Sequence, residues 1–95
     1  MAHIDITRSH KLTAKKAKLA AEEAGKQLSE EFGLKYQWKD DELHFERPGV
    51  NGHLALGKGT VRIVISLGFM LLPFKGRVEQ EIQRNLQELF PGKEP

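Results

Sequence analysis

The stretch LKYQWKDDELHFERPGVNGHLALGKGTVRIVISL (residues 34–67) decides the fold. In it Leu34, Tyr36 and Trp38 alternate with Lys35, Gln37 and Lys39, and Leu43 and Phe45 then alternate with Glu42, His44 and Glu46. A period of two with one apolar side is the pattern of a strand that buries one face. Asp40-Asp41 between the two runs predicts a tight turn, and so a hairpin. Pro48-Gly49 breaks the chain before a shorter strand around Asn51 to Leu56, and Gly57-Lys58-Gly59 predicts a second turn. Thr60 to Leu67 is the clearest strand, with Val61, Ile63, Ile65 and Leu67 on one face and Arg62, Val64 and Ser66 on the other. Four successive strands joined by short turns predict an antiparallel meander.

Outward from this stretch the period changes. Towards the N-terminus, Ile4 and Ile6 alternate in a short strand over His3 to Thr7. Thr13 then offers an N-cap, Ala17, Ala21, Ala24, Leu28 and Phe32 form a helical stripe, and Gly33 stands where a helix ends in a left-handed residue. The small residues at the start of the stripe let this helix lie close to a sheet. Towards the C-terminus, a helix from about Lys75 carries Val78, Ile82, Leu86, Leu89 and Phe90 on one stripe and stops at Pro91-Gly92. The fold class is α+β in the order β-α-β-β-β-β-α, an antiparallel meander with both helices on one face. Residues 1–91 make one domain and 92–95 a loose tail.

Composition narrows the function classes. The chain has 95 residues and no cysteine, so neither a disulfide nor a thiolate metal site holds it together. The start has no apolar segment of the kind a secretory signal needs, and Val61 to Phe74 is interrupted by Arg62, Ser66, Gly68 and Pro73, short of the about 20 apolar residues that span a bilayer. The expected setting is cytoplasmic. His3, His10, His44 and His53 fall in different elements with no metal-binding spacing, and Ser9, Ser29 and Ser66 lack a nucleophile elbow. Asp40-Asp41-Glu42 reads as a wet turn rather than an acid–base pair. Gly57-Lys58-Gly59-Thr60 precedes a strand, whereas a phosphate loop precedes a helix. No cofactor, metal or catalytic residue is expected, and the chain reads as a binding or accessory protein.

Two features point outward. Lys11, Lys15, Lys16 and Lys18 crowd the start of the first helix, where the dipole disfavours cations, so the group reads either as a solvated face or as a contact for an anionic partner. Nucleic acid is not expected, because readers of it interleave basic residues with exposed aromatics, and Tyr36 and Trp38 read as core. The segment Gly68-Phe69-Met70-Leu71-Leu72-Pro73-Phe74-Lys75-Gly76 holds five large apolar residues between breakers. Its first reading is core, packed under the final helix; the alternative is partial exposure, a contact made by Phe69, Met70, Leu71, Leu72 and Phe74.

Several of these runs together resemble one bacterial family, the polyhydroxyalkanoic acid system proteins. They are His3-Ile4-Asp5-Ile6, Phe32 to Trp38, Leu43 to Arg47 with Gly49-Val50-Asn51-Gly52, and Leu67 to Gly76 followed by Glu79 and Glu81-Ile82. The resemblance covers nearly the whole chain and carries no catalytic residues. It implies a cytoplasmic accessory of storage-polyester granule formation or maintenance, whose partners would be the granule surface or granule proteins. The element order also resembles a shortened helix-grip fold. On that likeness an alternative is a hydrophobic acyl ligand held by Tyr36, Trp38, Phe45 and Ile63, and a further one is a homodimer through an open sheet edge.

Overall fold

Strand alternation sets the sheet. A computed structural model describes residues 2–90 of the chain. The strands are β1 (Ala2–Ser9), β2 (Lys35–Lys39), β3 (Glu42–Arg47), β4 (Val50–Gly57) and β5 (Thr60–Leu67). The helices are α1 (Ala14–Phe32) and α2 (Lys75–Leu89), with a 3₁₀ turn over Phe69–Phe74 between β5 and α2. The order in the sheet is β1-β5-β4-β3-β2, and the four pairings are antiparallel. Thus β2 to β5 form the meander, and β1 returns to pair with β5, placing Ile4 opposite Ile65 and Ile6 opposite Ile63. The first strand is longer than His3 to Thr7, because all eight of its residues find a partner on β5. The predicted tail at residues 92–95 lies outside the described residues, as does Pro91.

One face of the sheet and both helical stripes make a single core. Ile4, Leu43, Phe45, Leu54, Val61, Ile63, Ile65 and Leu67 pack with Ala17, Ala21, Ala24 and Leu28 of α1 and with Ile82 and Leu86 of α2. Thr13 caps α1, its Oγ1 accepting from the Lys16 N–H at 3.2 Å. Gly33 ends the helix in the left-handed region at φ 68, its N–H donating to the Ser29 carbonyl. The C-terminus of α2 is tied to β1 by Arg8, whose Nε donates to the Phe90 carbonyl at 2.8 Å. His10 is buried against Phe90; its Nδ1 accepts from the Leu12 N–H at 3.1 Å, and its Nε2 has no hydrogen-bond partner among the described residues.

Two glycines mark where backbones come closest. A Cβ on Gly25 of α1 would stand 2.5 Å from Leu43 Cδ2, so α1 crosses β3 at a separation that only a glycine allows with Leu43 in place. A Cβ on Gly52 of β4 would stand 2.7 Å from the Val64 carbonyl oxygen and 2.8 Å from Ile65 Cγ1. The obstacle at Gly52 is backbone, which cannot swing aside as a side chain can. Gly52→Ala is therefore expected to lower stability by about 1–3 kcal/mol, the range for an overpacked core. Urea unfolding of the variant checks this: the midpoint falls with the slope unchanged.

Candidate functional site

Among the described residues no element covers the opposite face of the sheet, which is polar. His3, Asp5, Gln37, His44, Asn51, His53, Arg62 and Ser66 lie on it, as alternation requires. Arg62 donates to both Asp5 oxygens, at 2.9 and 2.6 Å, and this bond holds the Asp5 carboxyl below its usual 3.8. The pair is exposed and screened, so it adds little to stability. The His44 and His53 rings stand 5.9 Å apart. Among the described residues no three histidine or carboxylate side chains converge as a metal set would.

The four residues named for an acyl pocket do not line one space. Phe45 and Ile63 are fully inside the core. Tyr36 and Trp38, on the edge strand β2, are only half-buried, and each turns a polar end to α1. The Tyr36 hydroxyl donates to one oxygen of Glu22 at 3.0 Å and the Trp38 indole N–H to the other at 2.6 Å. Lys18 sits over the Trp38 ring, its Nζ 5.2 Å from the centroid. These aromatics therefore fasten α1 to the outer edge of the sheet. Glu22 stands one residue past buried Ala21, on the flank of the apolar stripe, and that offset was the available sign that a side chain there reaches the sheet.

The apolar segment is where the core reading fails and partial exposure holds. A 3₁₀ turn repeats every three residues, so it presents three sides, of which one faces the protein. Leu71 is on the inner side, and Phe74, three on, borders the cleft below it while staying largely exposed. Leu71 packs on the core beside Gly49, and the Gly68 N–H, bonded to the Gly49 carbonyl at 2.8 Å, pins the start of the turn. Phe69 and Met70 are left 77% and 81% exposed, Leu72 and Phe74 less so at 36% and 53%. An α-helical stripe would have buried two residues per turn; the tighter winding, with Pro73 in its last positions, does not.

The lysines of α1 do not join this surface. Lys15 and Lys18 lie beside Leu56, Gly57, Lys58 and Gly59, at the β4–β5 turn, and Lys11 and Lys16 are exposed at the same end of α1. The apolar turn sits at the other end, where Arg47 Nη1 donates to the Phe32 carbonyl at 2.7 Å. The 19 residues of α1 put roughly 28 Å between the two ends at about 1.5 Å per residue. A single flat contact through both groups is therefore not available. The cations near the turn are instead Lys75, Arg77 and Arg47. Of these, Lys75 is engaged with Glu79 at 3.6 Å.

Between the turn, the end of α1 and the start of α2 lies an open cleft of about 440 Å³. Leu28, Phe32, Leu34, Ile65, Leu67 and Val78 form most of its wall, and Glu31, Arg47 and Arg77 are its charged residues. No spacing in the sequence announces it, since its wall comes from both helices, the 3₁₀ turn and the far ends of several strands.

What the fold and this end of the molecule define is a small two-layer α+β domain whose distinguishing surface is a projecting apolar turn beside an open cleft. The chain belongs to the family described as "Putative polyhydroxyalkanoic acid system protein", whose model matches residues 4–90. Searches of curated proteins and of solved structures each returned no match, so the helix-grip likeness stays one of element order. Among the described residues no helix is long and apolar enough to cross a membrane.

The Glu22 contact has a measurable titration. The hydrogen bond to Glu22, then burial, then the charges of Glu22, Glu23 and Glu30 push the Tyr36 phenol above its ordinary 10.0. The neutral phenol is the form the fold favours, so its contribution is complete below the unfolded value and is lost as pH rises through the raised one. Measured between about pH 8 and 11, the denaturant midpoint of the wild type should fall more steeply above pH ~10 than that of Tyr36→Phe. Parallel curves would show that the phenol does not ionise against the fold.

Proposed function

We propose that the protein is a non-catalytic accessory of storage-polyester granules, docking on the granule surface through Phe69, Met70, Leu72 and Phe74. The observation that carries this reading is the exposure of four large apolar side chains on one six-residue turn, in a chain whose family name ties it to the polyhydroxyalkanoic acid system. Apolar side chains grouped in this way on so small a domain mark a contact surface. Removing a Leu, Met or Phe side chain from water is worth about 1.5–3 kcal/mol. Three or four of them give several kcal/mol before the costs of association, enough for reversible attachment and far less than a spanning helix provides. Lys75 and Arg77, next in the chain, suit a surface coated with anionic groups. The setting this implies is cytoplasmic, at the granule.

Co-sedimentation with native granules, stripped polymer particles and anionic liposomes tests the reading. Wild-type protein is expected in the pellet with granules, and Phe69→Glu and Met70→Glu are expected in the supernatant, each unfolding within about 0.5 kcal/mol of the wild type because neither side chain is core. Unchanged binding by both variants overturns the assignment. So does a wild-type dimer in sedimentation velocity that Met70→Glu dissociates while no granule binding is seen, since the turn would then serve a second copy of the chain.

A further inference from the structure

The cleft behind the turn differs in kind from the turn itself. The turn's outward side chains offer a flat apolar contact, whereas the cleft is concave and closed on its inner side by the core. Its wall is apolar, from Leu28, Leu34, Ile65, Leu67, Leu71 and Val78, and its charges are two arginines and one glutamate. Arg47 is held in place by its bond to the Phe32 carbonyl, which uses one of its five N–H groups and leaves the others free among the described hydrogen bonds. Arg77 is exposed near the start of α2, next to Val78 of the wall. An apolar trough with a few charged groups is the usual make-up of a site for a small amphipathic molecule.

Size and charge restrict the occupant. About 440 Å³ is at the small end of the roughly 300–1,000 Å³ of small-molecule sites, which suits one short chain better than a two-chain lipid. Two guanidinium groups against one carboxylate leave the lining cationic, and guanidinium pairs with carboxylate through two parallel hydrogen bonds. We infer that the cleft binds a single medium-length acyl or 3-hydroxyacyl carboxylate, with its tail along the apolar wall and its carboxylate at Arg77 and Arg47. The 3-hydroxy class rests on the granule reading: a polyester of hydroxy acids ends each chain in such a carboxylate, and the cleft then holds a chain end while the turn lies on the surface. Binding of the plain fatty carboxylate rests on the cleft alone.

Calorimetric titration of the full chain with octanoate, 3-hydroxyoctanoate and neutral 1-octanol tests this. Saturable binding of both carboxylates, one per chain and tighter than the alcohol, is expected. Arg77→Gln should weaken the carboxylates by roughly three- to tenfold and leave the alcohol unchanged, the span between an exposed ion pair and a charged hydrogen bond. Val78→Trp, which fills the cleft, should abolish all binding while co-sedimentation with granules persists. Met70→Glu should do the reverse, keeping octanoate and losing granules. No saturable heat with either carboxylate, an alcohol bound as tightly as octanoate, or a Val78→Trp protein that is folded and binds undiminished overturns the inference. If granule binding fails while octanoate binds, the docking role is wrong and the carboxylate site stands.

Discussion

The rest of the structure depends on how closely α1 lies on the sheet. Ala17, Ala21, Ala24 and Gly25 remove side-chain bulk from its buried side, and the space that a Cβ at Gly25 would need is already filled by a methyl of Leu43. This approach brings the flank of the helix within reach of β2, so that Glu22 meets both Tyr36 and Trp38. Towards the C-terminus the stripe changes to Leu28 and Phe32, and it is at this end, where bulk returns, that the cleft lies. The gradient from small to large residues along one helix thus sets the closest approach to the sheet at Gly25 and leaves the apolar cleft beside Leu28 and Phe32.

The 3₁₀ turn is the second constraint. Gly68 bonded to Gly49 fixes where the chain leaves the sheet, and α2 must begin at Lys75 to lay Ile82 and Leu86 on the core. Six residues bridge that gap, and wound three to a turn they offer the core one side out of three. Exposure of Phe69 and Met70 follows from the winding and not from any shortage of core, which Leu71 alone joins.

The elements were legible because their signals are local. Alternation in 34–67, the Thr13 cap, the Gly33 stop and the two helical stripes each depend on neighbours within a few positions, and each element appears where they put it. The small-residue stripe even gives the close packing of α1, although Gly25, its tightest point, is not among the stripe's residues. Contacts across the fold were another matter. Tyr36 and Trp38 fit an apolar alternation as well as any core residue, and their bonds to Glu22 span fourteen and sixteen positions. The lysines of α1 and the apolar segment look combinable on paper, since sequence does not show that a helix carries them to opposite ends. For the apolar segment, composition posed the question and the period of three answered it.

The protein contains one tryptophan, and the structure gives that residue a place of unusual optical use. The Trp38 indole N–H donates to the Glu22 carboxylate and the Lys18 ammonium stands over its ring, both reaching it from α1 at the seam with the edge of the sheet, and it does not line the cleft. Its emission is therefore a native gauge of whether that seam is shut, because both charged groups leave the indole when the helix lifts away. Lifting of α1 from the sheet can thus be followed in a cuvette without attaching a dye, while the indole stays clear of anything held at the far end.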